Sequence, residues 1–398
     1  MPWKETSLMD QKIGFIHDFK EDIYTIKELA EHYGIARKTA YKWIDRYEIE
    51  GGKGLDERPR TPQHSPNRTS DELVEAILEA RSKHQTWGPK KLLTLLGKRF
   101  PASQLPARCT VAAILNKHGL VRKRRRSQKR GHPGRPLTAM LAPNGIWTVD
   151  FKGQFLTRDG LYCYPLTIVD GFSRFLLACQ GLESVALLPS KEVFRRVFIE
   201  YGLPQIIRSD NGIPFASKAL HRLTKLSVWW IKLGVLPELI EPASPQQNAR
   251  HERMHRTLKA ETTLPRAGNL TAQQRRFNVF RHEYNELRPH EALNMATPAS
   301  CYQPSPRPFP KKLPVFEYPP HFEVRRVSRN GGIRWHSNWL NVGQILAEEY
   351  VAFEEVDNET WDVYFGPVRL GVMLEQELKI VDTYGRENRI TVSPMSCD

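Results

Sequence analysis

The chain has 398 residues, 40% hydrophobic and 26% charged, enough for two to four folded domains. Its 59 Lys and Arg against 44 Asp and Glu leave a formal charge of +15, which points to a polyanionic partner rather than an acidic substrate held in a small cationic pocket. Five scattered cysteines (Cys109, Cys163, Cys179, Cys301, Cys397) exclude a clustered zinc site, and the absence of any 18-residue apolar run or signal-type leader predicts a soluble intracellular protein.

In chain order, residues 9–19 read as a short helix with Ile13, Phe15 and Ile16 apolar. Thr25 and Glu28 have capping-box spacing for a second helix, Gly34 marks a turn, and a third helix follows. Ile35, Ala40 and Ile44 are expected on its buried side. This is a helix-turn-helix pattern over residues 1–60, with Arg37, Lys38, Thr39 and Lys42 as candidate DNA contacts. Residues 50–67 read as a linker. A second helical unit spans 68–120: Asp71 to Lys83, a helix opened by Pro89, and Arg108 to Asn116. It is a second helix-turn-helix or a structural spacer. A basic linker, 121–140, then carries eight Lys or Arg without an acid between residues 121 and 136, with Arg124, Arg125 and Arg126 as candidate phosphate contacts.

Residues 141–303 alternate between strand and helix patterns. Strands are expected at Ile146 to Phe151, Tyr162 to Val169, Phe175 to Gln180, Ile206 to Ser209 and within Trp229 to Ile240, with helices at Lys191 to Tyr201, Ser217 to Leu226 and the stretch that contains Glu252. A mixed five-stranded sheet with helices on its faces follows. Asp150 and Asp210 end two of these strands, and Glu252 shares a helix face with His255 and Lys259. Carboxylates brought together repel one another and gain from a divalent cation. Mg²⁺ prefers oxygen ligands, and two such ions serve in-line phosphoryl transfer. Asp170 also ends an apolar strand, but it precedes Gly-Phe-Ser and reads as a hairpin residue. Trp147 reads as core, and Asn211 as shaping the turn that aims Asp210.

A proline-rich linker, 304–318, leads to short alternating strands at Phe322 to Val327, Gly332 to Trp335, Glu348 to Glu354 and Thr360 to Phe365. They predict a small β-barrel-like domain over 319–380, with Arg325 and Arg334 as further candidate DNA contacts beside Arg326 and Arg329, and an irregular tail over 381–398.

WTVDFKG, TIVDGFSR, RSDNGIPF, PQQNARHERMHRTLK and YNELRPHEALNMATPASCY occur in this order. In these blocks the chain resembles insertion-sequence transposases with a retroviral-integrase-type core, in the IS481-like branch of the IS3 group. The resemblance covers roughly residues 10 to 375 and implies a ribonuclease-H-like fold. It puts Asp150, Asp210 and Glu252, spaced by 60 and 42 residues, at the catalytic and metal-binding Asp-Asp-Glu positions, and a basic phosphate contact at Lys259. Phosphate contact by His255 is a further expectation. The resemblance also implies two Mg²⁺ ions (with Mn²⁺ able to substitute), terminal inverted repeats and target DNA as partners, a homodimer or higher oligomer on paired ends, and a bacterial, nucleoid-associated location. Ala249 departs from the Gly common in the family; a helix start accepts it, whereas a positive φ would not. The alternative left open is a sequence-specific DNA-binding regulator, or a domesticated transposase without catalysis.

Overall fold

A computed structural model describes residues 7–58, 68–121, 137–242 and 244–386, and the chain divides into two compact units, 1–69 and 70–398. The basic run with Arg124, Arg125 and Arg126 lies outside the described residues.

In the first unit α1 (Leu8–Lys20), α2 (Ile26–His32) and α3 (Arg37–Glu50) enclose a core of Phe15, Ile16, Leu29, Ala40, Trp43 and Ile44. Ser7 with Asp10 caps α1, and Thr25 with Glu28 caps α2, so each start satisfies amide donors that lack helical partners. Trp43 faces inward, with the Lys12 ammonium 3.9 Å from its ring centroid.

The second unit opens with α4 (Asp71–Lys83), α5 (Pro89–Leu96) and α6 (Arg108–Lys117), packed around Ile77, Trp87, Leu92 and Val111. This module docks on the following α/β layer through a polar seam. His84 stacks on Trp87 at 4.0 Å and sets Nδ1 2.7 Å from Glu283, while Arg288 donates to Thr86 at 3.3 Å and Glu261 at 2.9 Å.

The α/β layer contains β1 (Ile146–Phe151), β2 (Phe155–Leu156), β3 (Tyr162–Asp170), β4 (Leu176–Leu182), β5 (Ile206–Ser209) and β6 (Leu236–Leu239). Five strands run in the order β4–β3–β1–β5–β6, and the two-residue β2 adds to β3. β1 is antiparallel to β3 and parallel to β5, giving the expected mixed ribonuclease-H-like sheet. The helices are α7 (Leu187–Tyr201), α8 (Lys225–Lys232), α9 (Ala249–Thr262) and α10 (Leu270–His282). Strand alternation sends Trp147 and Val149 into the core under α7 and α8, and Thr148 and Asp150 to the opposite face, where α9 and α10 pack.

Two expectations change here. The helix expected at 217–226 reduces to a single turn at Leu220–Arg222, and the true helix, α8, takes Trp229 and Trp230 from the strand expected over 229–240. Thr224 and Ser227 cap α8, which is buried all round: Leu226, Trp229 and Trp230 join the sheet core, while Val228 and Ile231 face a second cluster. Without a polar face it carries no helical period to read.

That second cluster explains the other correction. The C-terminal strands are β7 (Glu323–Arg326), β8 (Gly332–Trp335), β9 (Asn338–Asn341), β10 (Tyr350–Asp357), β11 (Thr360–Phe365), β12 (Val368–Leu374) and β13 (Lys379–Asp382). They do not form a barrel. Five make an open antiparallel sheet, β13–β12–β11–β10–β7, whose end strands do not pair with each other, and β8–β9 is a separate hairpin. The apolar face of the sheet is covered by α8 and by Leu220, Leu223, Ile333, Trp335 and Leu340, so its burial requires no closure.

Part of the expected proline-rich linker is strapped to the α/β layer. Arg307 donates to the carbonyls of Pro204, Leu233 and Gly234 at 2.7 to 3.2 Å. Gly202, at φ +77°, lies beneath it, where a Cβ would come within 2.7 Å of Arg307 O.

Candidate active site

β1 and β5 run side by side in the same direction, with Thr148 opposite Arg208. Asp150 and Asp210 each lie two residues beyond that pair, so neighbouring strands deliver both carboxylates to one end of the sheet. Asp210 Oδ1 accepts the Gly212 amide at 3.2 Å, and Asn211 Nδ2 donates to Ile240 O at 2.8 Å, which fixes the turn beyond β5. Burial pushes the Asp210 carboxyl above the ordinary range against the Gly212 hydrogen bond. Asp150 is pushed up to about 7, first by burial, then by the Asp210 charge, with a smaller contribution from Glu252 in the same sense; Lys152 opposes them.

Glu252 is half-buried in the first turn of α9. Ala249 precedes it at φ −57°, an ordinary helical conformation, so alanine enters this helix without strain. A divalent cation fits the chemistry of Asp150 and Asp210: both are hard oxygen donors, both are drawn from water, and Asp210 adds to the cost of ionising Asp150. Among the described residues, no group of three His, Cys, Asp or Glu side chains is gathered closely enough to hold a metal.

Behind Asp150 lies a polar bridge absent from the sequence reading. Thr167 faces Asp150 across the β1–β3 ladder, and its hydroxyl lies 3.0 Å from Asp150 O, 2.6 Å from His251 Nε2 and 2.7 Å from His255 Nε2. Thr148 Oγ1 lies 2.8 Å from His251 Nδ1, and His255 Nδ1 is 3.5 Å from Asp150 Oδ2. Burial first holds both imidazoles well below their usual pKa, so both are neutral. The available signal was that His251 and His255 are four residues apart and in phase with the buried Met254 and Leu258. Replacing Thr167 by Val is expected to cost about 1–2 kcal/mol of stability, with Ser restoring most of it. An unchanged urea midpoint for the valine variant would show that the bridge carries no stability.

The other candidate residues distribute unevenly. Arg37, Lys38 and Lys42 are exposed at the start of α3, with Thr39 half-buried. Lys259 is exposed on α9, whereas His255 is 5% exposed and turned to Asp150 and Thr167. The burial of His255 is at odds with phosphate contact. Arg334 is exposed on β8, and Arg325 pairs with Glu323 at 2.6 Å with its guanidinium 5.8 Å from the Trp335 ring centroid. Asp170 is wholly buried as a turn clamp, accepting from Asn144 N at 2.8 Å and from Ser173 N and Oγ at 2.7 and 2.6 Å. Among the described residues, no helix is long and apolar enough to cross a membrane.

Comparison with known proteins agrees with this architecture. Residues 141–245 and 233–298 match family models described as integrase core domain, and residues 8–56 and 39–115 match models of homeodomain-like domains. An uncharacterised 39.2 kDa protein of insertion element IS476 from Xanthomonas euvesicatoria is 29% identical over 250 residues, 59% of this chain and 65% of the relative. The chain therefore spans slightly less than two thirds of that relative's length. An uncharacterised 31.7 kDa protein of insertion element IS407 from Burkholderia multivorans is 27% identical over 242 residues, 59% of this chain and 82% of the relative. Among solved structures, the integrase catalytic core domain of HTLV-2 in complex with magnesium (trimeric form) is 16% identical, with a TM-score of 0.31, covering 41% of this chain and 99% of that one. Residues 141–298 thus carry an integrase-type catalytic domain related to proteins of insertion elements.

Proposed function

We propose that the protein is a DDE transposase of the IS481-like branch of the IS3 group, which binds the terminal inverted repeats of its element, cleaves a DNA strand with water and joins the freed 3′-hydroxyl to target DNA. The observation that carries this reading is the pair of half-buried carboxylates, Asp150 and Asp210, set at the same end of adjacent parallel strands in an integrase-type domain.

Asp150 and Asp210 would hold Mg²⁺, or Mn²⁺ in its place, with Glu252 completing a two-ion site from α9. When bound, the ions supply Lewis acidity at the attacking and leaving oxygens of an in-line displacement. The chain's own work is positioning. The β1–β5 pairing fixes the spacing of the two aspartates, and Thr167, His251 and His255 hold Asp150 from behind as neutral groups. Lys259 contacts phosphate at the site. Arg37, Lys38, Thr39 and Lys42 read the repeat, with Arg325 and Arg334 as further backbone contacts. Residues 1–60 and 68–120 act as DNA-binding modules, 141–303 as the catalytic core, and 319–380 as an accessory DNA-binding domain. Two ends handled together require at least two protomers.

A second reading, a catalytically silent DNA-binding protein, is favoured by the lack of a gathered three-ligand set among the described residues. A labelled duplex with the inverted repeat that flanks the gene separates the two. The transposase reading expects Mg²⁺-dependent nicking at the repeat end and joining, absent on a scrambled repeat. Specific binding without nicking, even with paired ends, would replace it with the second reading.

A further inference from the structure

Arg174, at the β3–β4 turn, and Arg250, in the first turn of α9, donate to the same oxygen: their Nη1 atoms lie 3.0 and 3.1 Å from Gly171 O. Two guanidinium groups on one carbonyl repel each other. Arg253 lies one turn further along α9 on the face of Arg250, and its charge acts on both Arg174 and Lys91. Lys91, from α5 of the docked helical module, is in turn beside the buried Arg288. The result is a chain of neighbouring cations, Arg250, Arg174, Arg253, Lys91 and Arg288, that begins on either side of Glu252 and ends at the helical module.

The nearby acids are already engaged. Glu261 accepts Arg288 at 2.9 Å, Glu291 pairs with Lys90, and Asp170 is held by Asn144 and Ser173. Among the described residues no carboxylate lies within ion-pair distance of Arg174, Arg250, Arg253 or Lys91. Two of these groups are also drawn from water, while Arg250 and Arg253 lie exposed on α9: Lys91 is pushed down to about 8 by burial and then by Arg288, and Arg174 to about 10 by burial and then by Arg250. Beside Lys91 and Arg288, His290 Nε2 is buried without a partner. Gathering like charges while removing their water is costly unless an anion completes the arrangement. Cations supplied in sequence by a β-turn, α9 and α5 suit successive phosphates better than one small anion.

We propose that Arg250, Arg174, Arg253, Lys91 and Arg288 form a track for the phosphodiester backbone of the inverted-repeat duplex, leading from Glu252 to the second helical module. This rests on the transposase reading above, and it assigns that module a backbone-holding role on the catalytic core.

The test uses the full-length protein and the flanking-repeat duplex, with affinity measured across a series of KCl concentrations. Each phosphate contact contributes about 0.9 to the slope of log affinity against log salt. Lys91→Ala combined with Arg253→Ala should lower the slope by about two such contacts and weaken binding about tenfold or more at 0.1 M salt. Arg195→Ala with Lys312→Ala, which removes the same number of charges from exposed positions elsewhere, should leave the slope at its wild-type value. Lys91→Arg with Arg253→Lys should retain most of the slope, which separates lost charge from lost folding. A wild-type slope in the double-alanine variant overturns the track while the transposase reading stands, provided the wild type binds and nicks. Failure of the wild type to bind the duplex overturns both.

Discussion

Asp150→Asn should lower Mg²⁺-dependent nicking by about three decades, since a metal ligand set supplies several kcal/mol of transition-state stabilisation at 1.36 kcal/mol per tenfold. Repeat binding should stay within about twofold, because affinity comes from phosphate and base contacts made elsewhere. The substitution preserves shape: the Thr167 hydroxyl bonds the backbone oxygen of residue 150, and an amide fits beside His255 Nδ1. It also removes a half-buried negative charge from beside Asp210. The melting temperature in metal-free buffer should therefore rise by a few degrees. Added Mg²⁺ or Mn²⁺ should raise the melting temperature of the wild type and leave that of the variant unchanged, because a ligand stabilises only the fold that binds it. Wild-type nicking by the variant, with its metal-dependent melting shift intact, would remove Asp150 from the site.

The parts of this arrangement that could be read in advance are those written in local patterns. β1 carries an acid near its end and β5 is followed directly by one, and the α2 cap is spelled by Thr25 and Glu28. What could not be read depends on partners distant in sequence. α8 is covered by the sheet on one side and by the C-terminal strands on the other, so its apolar surround imitates a buried strand. β9 is a short polar strand that exists as the second half of a hairpin, with Leu340 its buried anchor. Barrel closure is a statement about whether β7 meets β13, which strand patterns do not encode. His255 shows the same limit at a single residue. At about 100° per residue it lies some 60° from Glu252, towards the stripe of His251, Leu258 and Thr262, while Lys259 stays within about 20°. Helical spacing puts the three on one side, but only the packing of α9 on β1 and β3 decides which one is buried.

Asp170 and Asp150 look alike in the sequence, each ending an apolar strand, and the structure predicts opposite responses to the same change. Asp170→Asn should destabilise the protein by about 3 kcal/mol or more, because hydrogen bonds to a charged acceptor contribute about 1.5–3 kcal/mol each and stranded buried donors cost as much. The carboxylate accepts two backbone amides and a hydroxyl at 2.6 to 2.8 Å, and it has no exposed surface. An asparagine has one acceptor oxygen, so its NH₂ must face either the Asn144 amide or the Ser173 pair. The damage spreads because Asn144 also accepts Trp147 Nε1 at 3.1 Å and the Tyr302 hydroxyl at 2.9 Å, and donates to Gln303 O at 2.7 Å. One clamp thereby joins the entry to β1, the β3–β4 turn and the segment that leads into the Arg307 strap. Thermal melting of the two asparagine variants in metal-free buffer supplies the check: Asp150→Asn at or above the wild type, Asp170→Asn several degrees below it. If both melt with the wild type, burial and hydrogen bonding at Asp170 contribute no stability, and the distinction between a site carboxylate and a turn carboxylate fails.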